Sequence, residues 1–290
     1  MYPSIRDTIV LQAFSSIKDG LEALKINAVE LEIFRDNSVY AVSAGKERAK
    51  YTLDNPQEIE EFKEHLKANG TKVSALLMHN NFGSKHFDAE VNWTIAAVKA
   101  ASALQIPVIR IDAIMHGEYE VTVDENVTVF ADAMARVIDA TSDCKVDLGI
   151  ENHGSIGNRP EFLDKVLTRV RSDRLGVTID TGNFYWWGHP LSKVYEIIEH
   201  FAPYCKHTHV KNIAYPATKR ETPREIGWEY GKYVSPLADG DIDLRRIVKT
   251  LRGAGYKRDF CLEDESLGKY SKDEQKAVLK RDVEFLKQIL

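Results

Sequence analysis

The segment KHTHVKN, Lys206 to Asn212, places two histidines and two lysines within what otherwise reads as a buried β-strand. Alternate residues of a strand share a face, so His207, His209 and Lys211 point one way and Thr208 and Val210 the other. Polar side chains are costly to bury unless something binds them. Carboxylates end the neighbouring apolar segments: Glu151 in IENHG, Asp180 in TIDTGN and Glu263 in CLEDES. Gathered around an imidazole in a partly dry site, these carboxylates would repel one another strongly. A divalent cation removes the conflict. Oxygen-rich ligation with a single nitrogen favours manganese, magnesium or cobalt, and zinc is also compatible. A lone carboxylate at a strand end is more often a helix cap or an ion-pair partner. The case for a metal rests on ligand-type residues recurring on consecutive strands.

Such a site needs a scaffold that brings successive strand ends together. Strand-like segments are TIVLQAF (8–14), AVELEIF (28–34), KVSALLMH (72–79), VIRIDAI (108–114), DLGIEN (147–152), LGVTID (175–180), CKHTHVKN (205–212) and FCLEDE (260–265). Amphipathic stretches separate them, with apolar residues at three- and four-residue spacing. PQEIEEFKEHLKANG closes on Gly70 as a capped helix should, and Pro160 and Pro190 sit where first-turn prolines belong. Strand–helix alternation of this kind marks parallel βαβ units, and eight of them closing on themselves give a TIM barrel. The expectation is α/β, a single (β/α)8 barrel over residues 1–290, with its functional groups at the C-terminal strand ends. Two long connections, 35–55 and 213–240, fall on that same face. The second carries Trp228, Tyr230 and Tyr233, which suits a lid or a subunit contact.

Bulk composition narrows the classes. The chain has 290 residues, 43% hydrophobic and 29% charged, with a formal net charge of -5. No basic field invites nucleic acid or an anionic membrane. Apolar runs stay well short of the ~20 residues of a membrane span, and the N-terminus shows no signal-peptide pattern. The three cysteines lie far apart without a CxxC pair, as expected in a reducing cytoplasm. Neither GxGxxG nor GxxxxGK[ST] is present, so no nucleotide cofactor is expected.

ENHG, TIDTGN, HVKN and the run GDIDLRRIVKTLRGAGYKRDFCLEDE resemble the xylose-isomerase-like TIM-barrel superfamily of sugar isomerases and epimerases. That group includes D-tagatose 3-epimerase-like enzymes, inosose dehydratase and, more distantly, endonuclease IV. The resemblance implies one divalent metal held by Glu151, Asp180, His209 and Glu263. It thereby selects His209 as the ligand and leaves His207 as support deeper in the barrel. Asn212 departs from the family's commoner Asp, which leaves the orientation of Lys211 open. Endonuclease IV-like chemistry is disfavoured: Asn183 replaces one of that family's metal-binding histidines, and LADGDID (237–243) lacks another.

The resemblance further implies proton transfer beside a ketose or keto-sugar carbonyl through a metal-stabilised enediolate, with Glu151 and Glu263 as ligands and acid/base pair. Expected substrate contacts are His79, His153, Asn183, Lys211 and Trp186, with Trp187 an alternative to Trp186. Arg110 reads as a structural ion-pair partner, and Gln12 and Glu32 as barrel plugs or substrate contacts. The rival chemistry is a dehydratase-like β-elimination, and the rival class a non-catalytic sugar-binding barrel. The expected partner is a small carbohydrate, free at least as readily as phosphorylated, with a homodimer or homotetramer compatible.

Overall fold

The structure, a computed structural model, describes residues 1–43, 50–115 and 121–290. Its barrel strands are β1 (Tyr2–Arg6), β2 (Ala28–Glu32), β3 (Lys72–Leu77), β4 (Val108–Ile111), β5 (Asp147–Glu151), β6 (Leu175–Asp180), β7 (Cys205–Val210) and β8 (Asp259–Leu262). Each pairs in parallel with its sequence neighbour, and β8 closes the barrel on β1. The outer layer comprises α1 (Asp7–Ala13), α2 (Ile17–Leu24), α3 (Pro56–Ala68), α4 (Phe87–Ala103), α5 (Val123–Ala140), α6 (Pro160–Val170), α7 (Leu191–Phe201), α8 (Leu244–Gly253) and α9 (Lys272–Ile289). The expected (β/α)8 architecture is therefore observed.

Local sequence explains the helix boundaries. Asn55 caps α3 by accepting from the Glu58 amide, and Gly70 follows the helix at φ 60°, which glycine adopts without strain. Thr122 and Glu125 form a reciprocal capping box on α5. Pro160 occupies the first turn of α6, whereas Pro190 is the N-cap residue of α7 rather than its first turn.

The first strand differs from the sequence expectation. TIVLQAF (8–14) is not a strand: most of it forms α1, and β1 is the preceding YPSIR. A short apolar run cannot be assigned to strand or helix by periodicity alone. Here Ile9, Val10 and Ala13 are buried on one helical face, while Gln12 is exposed, so Gln12 is no barrel plug. The shift puts Arg6 at the C-terminal end of β1, on the face where the site lies.

In the connection after β2, residues 38–40 pair antiparallel with 50–52, while 44–49 lie outside the described residues. After β7, residues 212–213 pair with 234–235, and Trp228, Tyr233 and Tyr215 pack together with ring centroids 5.5–5.8 Å apart. Among the described residues, no helix is long and apolar enough to cross a membrane.

Candidate metal centre

β5 and β6 end on Glu151 and Asp180, while His209 and Glu263 lie at the ends of β7 and β8. One ligand atom from each of these four residues lies within 4.8 Å of the others. All four are at most 4% exposed. Side chains just past the strand ends set this level by gripping the next strand's backbone. Asn152 donates to the Asp180 carbonyl at 3.1 Å and accepts from its amide at 2.7 Å. Thr181 treats Lys211 the same way, at 2.8 and 3.1 Å. Asn80 does so for Asp112 at the end of β4, at 3.1 and 2.9 Å. These residues give polar backbone at the barrel mouth its hydrogen bonds without water.

The carboxylates are not equivalent. Glu151 Oε2 is held by Arg110, leaving Oε1 to accept from Asn183 Nδ2 at 3.1 Å. Glu263 Oε1 is held by Arg6 at 2.5 Å. Burial works to raise both groups. Arg110 and His209 overcome it at Glu151, and His209 and Lys211 at Glu263, so both are held below the usual carboxylate range. Asp180 goes the other way. Burial pushes it up to about 7 despite Lys211, with Glu263 and Glu151 adding repulsion.

His209 lies at the centre of the cluster. Its Nδ1 faces Glu151 Oε1 at 3.3 Å and Glu263 Oε2 at 3.4 Å, yet makes no hydrogen bond. Asp180 Oδ2 is within 3.2 Å of Lys211 Nζ but is also without a hydrogen bond. Buried polar atoms are normally satisfied, so two such orphans facing one cluster need an explanation. Burial opposes protonation of His209, but Glu30, Glu263 and Glu151 overcome it and raise its pKa well above the ordinary value. The cluster demands positive charge at Nδ1, and a proton or a metal cation supplies it. The donor set, three carboxylates and an imidazole, fits a divalent ion.

His207, one pleat deeper, is not part of that set. Its ring bridges Glu30 Oε1 at 2.9 Å and Asp259 Oδ2 at 3.0 Å, fully buried. The ring thus lies beneath the cluster, between two buried carboxylates.

Lys211 is also buried, and its ammonium reaches Asp180 at 3.2 Å, Glu263 at 3.5 Å and Glu265 at 2.6 Å. Tyr230, from the long connection after β7, donates to the other oxygen of Glu265 at 2.5 Å. That connection therefore covers the Lys211 side of the site. Asn212 is occupied elsewhere. Its Nδ2 donates to the carbonyls of Leu237 and Ile242, and its Oδ1 accepts from the amides of Ile213 and Ile242.

The expected substrate contacts separate into groups. His79 bridges Asp112 at 3.4 Å and Glu32 at 3.8 Å with its side chain 48% exposed, and His153 pairs with Asp112 at 2.8 Å while 38% exposed. Burial works against protonation of His153, but the Asp112 hydrogen bond and the negative charges of Glu151 and Asp112 together raise its pKa. Asn183 is spent on Glu151, and Trp186 is half-buried beside Gly227. Arg110 is a buried ion-pair partner, as expected, but its partner is a member of the cluster. Glu30 and Arg6 escaped the sequence reading, and Asp112 was read only beside Arg110, with which it pairs at 2.8 Å. The signal for Glu30 was present: in AVELE a polar residue alternates with apolar ones inside a fold whose strands are covered on both faces.

Residues 21–289 match the family model described as xylose isomerase-like TIM barrel. The chain belongs to this xylose isomerase-like family. Solved structures of similar fold include the IolI protein with a bound zinc atom, at TM-score 0.72 and 16% identity over 100% of this chain and 99% of that one. An L-ribulose 3-epimerase aligns at 0.69 and 16%, covering 100% and 95%. Mannonate dehydratase from Streptococcus suis serotype 2 aligns at 0.67 and 13%, covering 100% and 93%. Comparison with curated protein sequences returns no significant match.

Proposed function

We propose that this family member is a divalent-metal-dependent isomerase or epimerase of a ketose or related keto-sugar. One observation carries the reading: four ligand-type side chains converge in a buried cluster where Asp180 Oδ2 and His209 Nδ1 lack hydrogen bonds. Glu151, Asp180, His209 and Glu263 would hold the ion. When bound, it supplies Lewis-acid polarisation of substrate oxygens. The chain's own carboxylates move the proton. Glu151 and Glu263 lie on either side of His209 Nδ1, each with one oxygen anchored by an arginine and the other turned inward. Both start as carboxylates: one takes the proton from the carbon beside the substrate carbonyl and becomes a carboxylic acid, and the other returns a proton to that carbon only after it has itself taken one up from water. Asn183 aims Glu151. The exposed edges of His79 and His153, together with Lys211 and Trp186, are the proposed sugar contacts.

The test is solvent-deuterium exchange into a panel of ketoses, followed by NMR with added manganese or magnesium. Exchange at one carbon without loss of a group is expected, and it should vanish in Glu151→Gln and Glu263→Gln proteins that still take up metal. Full exchange in those variants would sink the assignment. A dehydrated product in the same spectra would instead mark elimination, the second reading, which the dehydratase among the fold neighbours supports.

A further inference from the structure

Glu30 is fully buried at the middle of β2 and reaches across the barrel interior to two histidines of β7. Its Oε1 lies 2.9 Å from His207 Nε2 and its Oε2 lies 2.8 Å from His209 Nε2. A carboxylate only accepts, so the ring nitrogens facing it must carry the protons. With Nε2–H committed to Glu30, His209 turns Nδ1 towards Glu151 and Glu263, at 3.3 and 3.4 Å. The partner of one ring nitrogen decides which form the other takes.

We infer that Glu30 is a positioning residue for the metal centre: its carboxylate fixes the tautomer and ring orientation of His209, so that Nδ1 is presented to the ion. The inference rests on the metal-binding reading proposed above. A second arrangement supports it. His207 is braced from its far side by Asp259, whose other contacts are Ser4 at 2.9 Å and Tyr256 at 3.2 Å. Glu30 is thus held at one oxygen by a fixed histidine and cannot swing away from His209. A purely structural Glu30 would tie β2 to β7 and leave the choice of metal-binding nitrogen indifferent to it.

Glu30→Gln separates the two roles. The glutamine matches the shape but offers one acceptor and one amide group, so it cannot accept from both imidazoles. Two measurements are needed, both with zinc as the probe. In the zinc-loaded wild-type protein with 15N-labelled histidine, long-range 1H–15N spectra should show His209 with bare, zinc-bound Nδ1 and a slowly exchanging Nε2 proton. Zinc on Nε2, or an Nε2 proton exchanging like that of a free imidazole, overturns the inference. In Glu30→Gln, the zinc affinity from competition with a chelator should fall by roughly 10- to 100-fold while the circular dichroism stays that of the folded barrel. A loss below about tenfold in the folded variant also overturns it. Should that variant not fold, the wild-type spectrum decides alone. Failure of the wild-type protein to take up zinc would sink the functional reading itself, whereas equal uptake by both proteins removes only the role given to Glu30.

Discussion

Arg110 grips one oxygen of Glu151, through two of its nitrogens, and leaves the other oxygen free to face His209. The guanidinium also bonds the Met78 carbonyl at 2.8 Å and Asp112 at 2.8 Å, with 2% of the residue exposed. Breaking such a buried pair from one side leaves uncompensated charge, here on two carboxylates. Arg110→Met should therefore lower the stability of the metal-free protein by about 3–5 kcal/mol, read from denaturant midpoints. A loss under about 1 kcal/mol would show that Arg110 is not the partner these carboxylates depend on.

Asn212 needs both halves of its amide. Its four partners are backbone groups, two acceptors and two donors, which fixes the orientation of the side chain. An aspartate, the commoner family residue, would set a carboxylate oxygen against the carbonyls of Leu237 and Ile242. Asn212→Asp should cost about 1–3 kcal/mol, measured by thermal and chemical denaturation. An equally stable variant would refute the need for a donor there.

These residues show what could be read in advance. The TIM barrel followed from apolar runs separated by amphipathic ones, and His207 and His209 stood out because polar residues interrupt an apolar strand. β1 was invisible for the opposite reason: YPSIR carries Pro3, lumen-facing Ser4 and Arg6 in place of an apolar run, while the apolar run beside it is helical. Glu30 and Arg6 bond residues more than 170 positions away, and such pairings become visible only once the barrel closes. Asn183 and Arg110 were noticed, but their bond to Glu151 depends on side-chain reach across neighbouring strands, which spacing does not encode.

His65 gives the fold a dependence on pH away from the metal centre. Its Nε2 accepts from the Val42 amide at 3.0 Å, and its ring lies against Tyr51 and Phe62. Burial lowers its pKa below the ordinary value, so the folded state prefers the neutral ring. The unfolded chain binds the proton more readily, so this contribution is present above about pH 6.5 and is lost as pH falls below it. The stability of the wild-type protein relative to His65→Gln should decline between pH 7.5 and 5.5, measured by urea unfolding at fixed ionic strength. Parallel curves for the two proteins would rule the residue out.

Tyr230 ties the long connection after β7 to the site through Glu265, which also holds Lys211. A hydrogen bond to a charged group contributes about 1.5–3 kcal/mol. In Tyr230→Phe, amide exchange in residues 230–235 should accelerate by about tenfold or more while β7 keeps its protection. Unchanged exchange would mean that the aromatic packing of Trp228 and Tyr233, not this bond, holds the connection down.

His209 and His207 should part company when metal is removed and restored. A ligand that binds only the folded state adds about 2.7 kcal/mol of stability at one hundred times its dissociation constant. Saturating manganese or zinc should therefore raise the melting temperature of the wild-type protein, and chelation should reverse the rise. His209→Ala deletes the one nitrogen donor of the proposed set, so its melting temperature should not respond to metal. His207→Ala instead leaves Glu30 and Asp259 buried without the ring between them. It should lose about 3–5 kcal/mol of stability and still respond to metal. The reverse pattern, a metal response that survives loss of His209 and disappears with His207, would place the ion one pleat deeper and overturn the assigned register.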